Sequence, residues 1–196
     1  MKAVFAVLDL LRPLNTGLLA VGRWVGVFAI AVMVIAILIQ VFFRYVLGNA
    51  LPWPDEAARF FMLWMTGLMA PSAFRSGGFV AIDFIDAVIQ GKAMHVLQFI
   101  LLLISLTVLI VGVQIGYKEV TGLGGRFATA SLYIPMSLGF DEWYRIPRSW
   151  MMLSILIGIA MLILVNIELL LERFVRLLGY GDQLPARPGL EMGGAE

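Results

Sequence analysis

The chain has 196 residues, of which 61% are hydrophobic and 14% charged, with a net charge of +1. Soluble domains are roughly 45–50% apolar and about 25% charged, so this composition indicates a membrane protein. A net charge this small argues against nucleic acid as a partner, and the absence of cysteine excludes disulfides, thiolate metal sites and a cysteine nucleophile.

The N-terminal segment, residues 1–15, predicts a short amphipathic helix lying in the membrane interface. Asp9 and Arg12 interrupt its apolar run, and no small-residue cleavage site follows, which is unlike a signal peptide. Val4 and Leu8 share one helical face, as expected of a helix whose apolar side enters the headgroup layer.

Three windows without charge are long enough to cross a membrane, because a spanning helix needs about 20 mostly apolar residues. They lie between Arg23 and Arg44, between Lys92 and Lys118, and between Arg148 and Glu168. These windows predict three transmembrane helices.

A fourth span is shorter, because only 15 residues separate Arg59 from Arg75. At about 1.5 Å rise per residue this window cannot cross the hydrocarbon layer unless the helix includes the flanking charges. The sequence therefore predicts an all-α integral membrane protein with four transmembrane helices plus short interfacial amphipathic helices. The helices are expected at about 18–46, 54–75, 93–118 and 147–171, within a membrane domain covering 16–180.

The ends of the chain fall on the same side of a four-span protein. Eight Lys and Arg residues then share the side of the termini, against six on the other side, which slightly favours cytoplasmic termini. The tail over 181–196 contains Pro185, Pro188 and paired glycines, and is predicted to be disordered.

A cluster of charges opens the second span. Pro54 suits the first turn of a helix, Asp55 and Glu56 suit the positive end of its dipole, and Arg59 is spaced to pair with either acid. An ordinary helix start explains these features by themselves. Because the short span draws the cluster into the membrane zone, an ion-pair network that also includes Arg44 of the first span is the more economical interpretation.

Other polar or helix-breaking positions have simpler interpretations. Pro71 removes the hydrogen bond to the carbonyl of residue 67 and predicts a kink in the second span. Asp83 and Asp86 form a pair that more often marks a solvated face or a helix cap than a cation site. His95 is expected at the membrane interface or in contact with a partner.

Several of these residues occur in an order that resembles a known family. Span one closes with Arg44 and Tyr45, and Trp53, Glu56 and Arg59 follow at intervals of three. Further along the chain come Trp64, Gly67, Arg75 and Asp83. The set is similar to the small, DctQ-type membrane subunit of the tripartite ATP-independent periplasmic (TRAP) transporters.

The resemblance covers most of the chain and departs at two places. Phe79 stands where the family often has a histidine, and the segment from Ser137 to Ser149 is longer and more charged than the usual entry to span four. We interpret the chain as a divergent member with an extra element on the outer side.

The resemblance implies a scaffold subunit in a bacterial inner membrane. A large membrane subunit is expected to carry the substrate and sodium sites, and a periplasmic binding protein to deliver an organic acid or related solute. This chain is then expected to hold no substrate, catalytic, metal or cofactor site, to contact lipids and to have no enzymatic activity. The structural and subunit-interface residues expected are Arg44, Trp53, Asp55, Glu56, Arg59, Trp64, Gly67, Arg75 and Asp83. The candidates for binding-protein docking lie in the extra outer segment, which departs from the family, and are Asp141, Glu142, Trp143 and Arg145.

Other classes of membrane protein fit the sequence less well. A bis-histidine haem anchor needs two histidines, and His95 is the only one. A self-sufficient carrier commonly shows inverted repeats, which are absent from the sequence. No Ser–His or metal-ligand spacing accompanies the acids, so catalysis is not expected. A homo-oligomeric channel and a membrane-anchor subunit of another complex remain as alternatives.

Overall fold

The computed structural model of the chain describes residues 2–77, 92–135 and 143–181. In chain order its elements are α1 (Lys2–Tyr45), α2 (Trp53–Arg75), α3 (Lys92–Thr121), α4 (Leu123–Arg126), β1 (Ala128–Pro135), β2 (Trp143–Pro147) and α5 (Ser149–Leu177). The chain is therefore mostly helical, with a short hairpin between its last two long helices.

Helix α1 runs without interruption through 44 residues, about 66 Å at the rise of an α-helix. The helix predicted over 1–15 is continuous with the first span, because residues 2–15 are the first turns of α1. Its place in the membrane interface stays a prediction. Pro13 lies inside the helix and removes one backbone hydrogen bond. On either side of this proline, Arg12 and Asn15 bind side chains of α5, which stabilises the helix where that hydrogen bond is missing.

The four long helices form an open row rather than a closed bundle. Helix α2 packs along α1 on one side and along α5 on the other, and α3 packs along the far side of α5. Helix α1 also meets α5 along its N-terminal half, where Arg12 and Asn15 bind acids of α5. The order in the row is thus α1, α2, α5, α3, and α5 contacts all three other long helices.

The core is small and lies where α1, α2 and α5 meet. It contains Leu19, Leu68, Phe74, Met161 and Val165. Large apolar side chains elsewhere on the helices face outward: Phe28 of α1 is 65% exposed, for example. Such a surface is expected of helices surrounded by lipid or by another membrane protein.

Three of the described helices are long and apolar enough to cross a membrane: α1, α3 and α5, over Val4–Tyr45, Met94–Thr121 and Ser149–Leu177. The structure therefore supports a membrane protein with three candidate spans, against the four predicted. Helix α2 is less apolar than the others, because Pro71, Thr66 and the charges of its first turn lower its hydropathy.

The backbones of α2 and α5 cross with almost no side chain between them. A Cβ atom built on Gly67 would lie 3.0 Å from the carbonyl carbon of Ser154, and one built on Gly158 would lie 2.8 Å from the Cα of Gly67. Both distances are shorter than van der Waals contact. Glycine is therefore required on each helix for this approach.

The hairpin was not predicted, and it corrects the all-α assignment. Strands β1 and β2 are antiparallel, with Tyr133 opposite Arg145 and Ile134 opposite Tyr144, and β1 bulges between Ala128 and Tyr133. The strands are rich in aromatic and β-branched residues, which favour extended backbone.

Candidate functional site

Glu56 of α2 binds the bulge of β1. Its carboxylate accepts hydrogen bonds from the backbone N–H of Ala130, at 2.8 Å, and from that of Ser131. The Ser131 hydroxyl donates to the same carboxylate at 2.6 Å and also lies 2.8 Å from the Pro52 carbonyl oxygen. One acid in the first turn of α2 thus fixes the hairpin on the end of the helix.

Arg145 of β2 binds the same bulge through its carbonyl groups. Its Nε donates to the Thr129 carbonyl at 2.6 Å and its Nη2 to the Ala130 carbonyl at 2.7 Å. The guanidinium carbon also lies 5.5 Å from the centre of the Tyr133 ring, in a cation–π contact. We call Glu56, Ala130, Ser131 and Arg145 the hairpin clamp, because the two charged side chains bind the backbone that the bulge leaves unpaired.

The predicted ion-pair network of Arg44, Asp55, Glu56 and Arg59 does not form within the chain. Arg44 is exposed and lies 5.8 Å from the ring of Tyr45, and Asp55 accepts a 3.4 Å hydrogen bond from Gln40. Arg59 is exposed, and no ion pair joins either arginine to Asp55 or Glu56. Gln40 of α1 lies beside Asp55, so Arg44 lies one helical turn beyond this acid. The Glu56 carboxylate is already hydrogen-bonded to the hairpin.

The remaining predicted residues of α2, except Trp53, lie along its packed side. Trp53 is 39% exposed at the start of the helix, whereas Trp64 is half-buried against the core and contacts the ring of Phe60. Gly67 forms the crossing with α5, and Pro71 is fully buried inside a helix that continues to Arg75. The kink at Pro71 stays a prediction.

Arg75 lies at the opposite end of α2 and joins three helices. Its Nε and Nη2 donate to one carboxylate oxygen of Glu168 in α5, at 3.1 and 2.6 Å, and its Nη1 donates to the Thr16 hydroxyl of α1 at 2.8 Å. The other Glu168 oxygen accepts a 2.6 Å hydrogen bond from Asn15. Glu168 and Asn15 are each only 1% exposed, so this is a buried, neutralised ion pair.

A second ion pair lies one turn further along the same helices. Arg12 of α1 donates from Nε and Nη2 to Glu172 of α5, at 3.1 and 2.8 Å, and Glu172 is 1% exposed. We call these residues the terminal network, since it joins the N-terminal turns of α1 to the C-terminal parts of α2 and α5: Arg12, Asn15, Thr16, Arg75, Glu168 and Glu172. Two arginines and two glutamates give the network no net charge.

Most of the terminal network was not predicted from the sequence, because Glu168 marks only the end of the apolar window that begins after Arg148. A signal was available in the spacing of α5. The positions Ser154, Gly158, Met161, Val165, Glu168 and Glu172 alternate intervals of four and three, which places them on one helical face. Glu168 and Glu172 lie on the same helical face as these small and apolar residues, which pack against the protein. Acids in such positions point into the protein and require cationic partners.

Some predicted residues lie outside the described residues. These are Asp83 and Asp86, Phe79, the docking candidates Asp141 and Glu142, and the tail from 182 onward. Trp143 and Arg145 are described, and both are exposed on the hairpin. His95 is half-buried near the start of α3.

The two polar clusters are separated by about the thickness of a membrane. Glu56 and Arg75 are 19 residues apart on one helix, about 28 Å at 1.5 Å per residue, against roughly 30 Å for the hydrocarbon core. Within the described residues no three His, Asp or Glu side chains come together in a way that would hold a metal ion. The clusters bind helix to helix and helix to hairpin.

These features define a helical membrane protein whose polar side chains fasten its own elements together. A family model for the DctQ component of tripartite ATP-independent periplasmic transporters matches residues 33–176. The chain belongs to this family, which confirms the resemblance found in the sequence. No curated protein matches the chain.

Membership fixes the general role of the chain. It is a small subunit of a TRAP transporter, and its family is one of transporter components rather than of enzymes. The family also implies that the chain associates with other TRAP components in a membrane.

Proposed function

We propose that the chain is a scaffold subunit that stabilises the large, elevator-type subunit of a sodium-coupled transporter. The transporter would import an organic acid or related solute delivered by a periplasmic binding protein. The observation that carries this proposal is the distribution of polar groups. They are used at the hairpin clamp and the terminal network to fix the helices to one another, while the outward faces of α1 and α3 are apolar. Such a molecule is suited to hold a partner in the membrane and needs no sodium or cofactor of its own.

We also propose that α2 is a fourth membrane span. Its charged ends, Glu56 and Arg75, are about one hydrocarbon thickness apart. The Glu56 carboxylate accepts hydrogen bonds from the hairpin, and Arg75 is paired with Glu168. Its sides are covered by α1 and α5. A helix flanked by protein tolerates the lower hydropathy that Thr66 and Pro71 give it.

The four-span arrangement places the hairpin on one side of the membrane and both chain ends on the other. With the termini in the cytoplasm of a bacterial inner membrane, the hairpin lies in the periplasm, where the binding protein docks. The exposed side chains of Trp143 and Arg145 support docking there, and the other two docking candidates, Asp141 and Glu142, lie outside the described residues.

The exposed arginines Arg44 and Arg59 are the proposed contacts with the large subunit at the hairpin end. Neither forms an ion pair with the acids beside it, and a cation at the membrane surface is stabilised by an acidic partner. Arg59→Gln should therefore weaken the complex, whereas Arg126→Gln, which removes an exposed cation after the end of α3, should not.

Purification of the tagged chain from its native membrane in mild detergent tests the scaffold role. Recovery of a large multi-span protein in fixed ratio is the expected result, with less of it recovered with the Arg59→Gln variant. Recovery of a homo-oligomer without a partner would contradict the scaffold and favour a channel built from copies of this chain.

A further inference from the structure

The two faces of the hairpin carry different chemistry. Residues that lie opposite each other in an antiparallel pair share a face, and neighbours along a strand alternate between faces. Tyr133, Trp143 and Arg145 therefore lie on one face, which we call the cationic face, and Ile134 and Tyr144 lie on the other, the apolar face. The two apolar-face side chains are 40% and 45% exposed.

The apolar face is turned toward the helices. Ile146 lies two residues after Tyr144 on the same face of β2, and it is only 6% exposed. Strand β1 packs on α2 and β2 packs on α5. The exposed Ile134 and Tyr144 continue this buried face beyond the point where the helices cover it.

The base of the hairpin lies at the membrane boundary. It connects the end of α3, at Thr121, to the start of α5, at Ser149, and both helices are candidate spans. Glu56 binds the bulge directly, and this acid is about one hydrocarbon thickness away from Arg75 along α2. The apolar face is therefore turned toward the layer in which the helices are embedded.

The bulge has the hydrogen bonding that a poorly hydrated layer requires. Its N–H groups at Ala130 and Ser131 donate to Glu56, and its carbonyls at Thr129 and Ala130 accept from Arg145. A loop in water needs no such partners, whereas backbone groups near hydrocarbon must be satisfied by the protein. The hairpin clamp meets this condition at the position where the strand pairing is irregular.

We propose that the hairpin is a membrane-surface anchor that lies flat on the lipid. Its apolar face contacts the boundary between headgroups and acyl chains, and its cationic face is turned to the aqueous side, where Arg145 and Tyr133 are accessible. Tyr144 on the apolar face is an amphipathic side chain of the kind that this boundary favours. The proposal does not depend on which protein the chain assembles with, and it leaves the cationic face available to a soluble partner.

The absence of cysteine from the chain permits a direct test with spin labels at single introduced cysteines. The full chain, with its partner subunits where they co-purify, is placed in bilayers of phosphatidylcholine and phosphatidylglycerol. Labels at Ile134→Cys and Tyr133→Cys probe adjacent residues on opposite faces. Power saturation then compares collisions with oxygen, which concentrates in lipid, and with a water-soluble nickel complex. Ile115→Cys of α3, where the native side chain is 57% exposed, provides the lipid reference, and Arg126→Cys provides the aqueous one.

The expected result is a reversal of the oxygen-to-nickel ratio between the two adjacent labels, with residue 134 resembling residue 115 and residue 133 resembling residue 126. Equal access of the nickel complex to both labels would overturn the proposal, because the hairpin would then stand in water. Exclusion of both reagents from residue 134 would also overturn it, because a protein would then cover that face. Tyr144→Cys repeats the measurement on the same face should Ile134→Cys fail to fold.

Discussion

The ion pair between Arg75 and Glu168 allows a sharp test of how the terminal network stabilises the chain. Arg75→Met removes the cation and leaves the Glu168 carboxylate, which is 1% exposed, with Asn15 as its remaining partner. Glu168→Gln keeps the shape of the acid but leaves the guanidinium without a counter-charge. Removing one member of a buried ion pair typically costs about 3–5 kcal/mol, because the other charge stays buried.

The double variant should be less damaging than the two single variants added together. With both charges gone, no uncompensated ion remains, so a coupling energy of roughly 1–3 kcal/mol is expected for groups in direct contact. Unfolding of the purified chain by sodium dodecyl sulfate in mixed micelles, followed by tryptophan fluorescence, measures the free energy for each of the four proteins in the cycle. Trp64, half-buried against the core, reports on the loss of helix packing.

Two outcomes would refute the reasoning. Additive effects, within about 0.5 kcal/mol, would mean that the two side chains do not interact in the folded protein. Single variants no worse than Arg23→Met, which removes an exposed cation from α1, would mean that the pair is not buried in the membrane-embedded protein. A surface change of that kind is expected to alter stability by no more than about 0.5 kcal/mol.

Three further predictions concern other parts of the structure. Gly158→Ala should destabilise the chain by about 1–3 kcal/mol in the same unfolding assay, because the added Cβ has no space against α2. The control Gly17→Ala should be neutral or stabilising, because a Cβ at this position would meet no neighbouring atom within 4 Å. Equal effects of the two changes would contradict the close crossing. Glu56→Gln should speed amide hydrogen exchange over residues 128–135, measured by mass spectrometry, because it weakens the hydrogen bonds that Glu56 accepts from β1. The neighbouring change Asp55→Asn should leave this exchange unaltered. Unchanged exchange in Glu56→Gln would show that the hairpin clamp does not hold the hairpin. Asn166→Leu should stabilise the chain by about 1–3 kcal/mol, because the Nδ2 and Oδ1 atoms of this fully buried side chain have no hydrogen-bond partner among the described residues. A loss of stability would indicate that a water or an ion binds Asn166.

The positions of the long helices could be predicted because the length of an apolar stretch is read directly from consecutive residues. Helix α2 covers Trp53–Arg75 where 54–75 was expected, and α3 covers Lys92–Thr121 where 93–118 was expected. The continuity of α1 could not be predicted in this way, because it depends on contacts with residues distant in the sequence. A sequence with Asp9, Arg12 and Pro13 near its start indicates a break, and the contacts that prevent the break come from α5, more than 150 residues away.

The candidate site was predicted only in part for the same reason. The sequence singles out Glu56 and Arg75 as structural or interface residues, but the choice of partner depends on how helices align in depth. Glu56 binds a hairpin 74 and 75 residues further along the chain, and Arg75 binds an acid 93 residues away. Local spacing suggested pairing with Arg59 instead, and no local pattern indicates the bulge that competes for the carboxylate.

The position of α5 in the row has a consequence for the order in which the protein is made. Helix α5 is the last of the long helices to be synthesised, yet α3 packs along it and both arginines of the terminal network pair with it. The 93 residues between Arg75 and Glu168 take roughly 5–20 s to synthesise at about 5–20 residues per second. During that interval Arg12 and Arg75 lack their acidic partners, so the terminal network can form only after α5 has been synthesised.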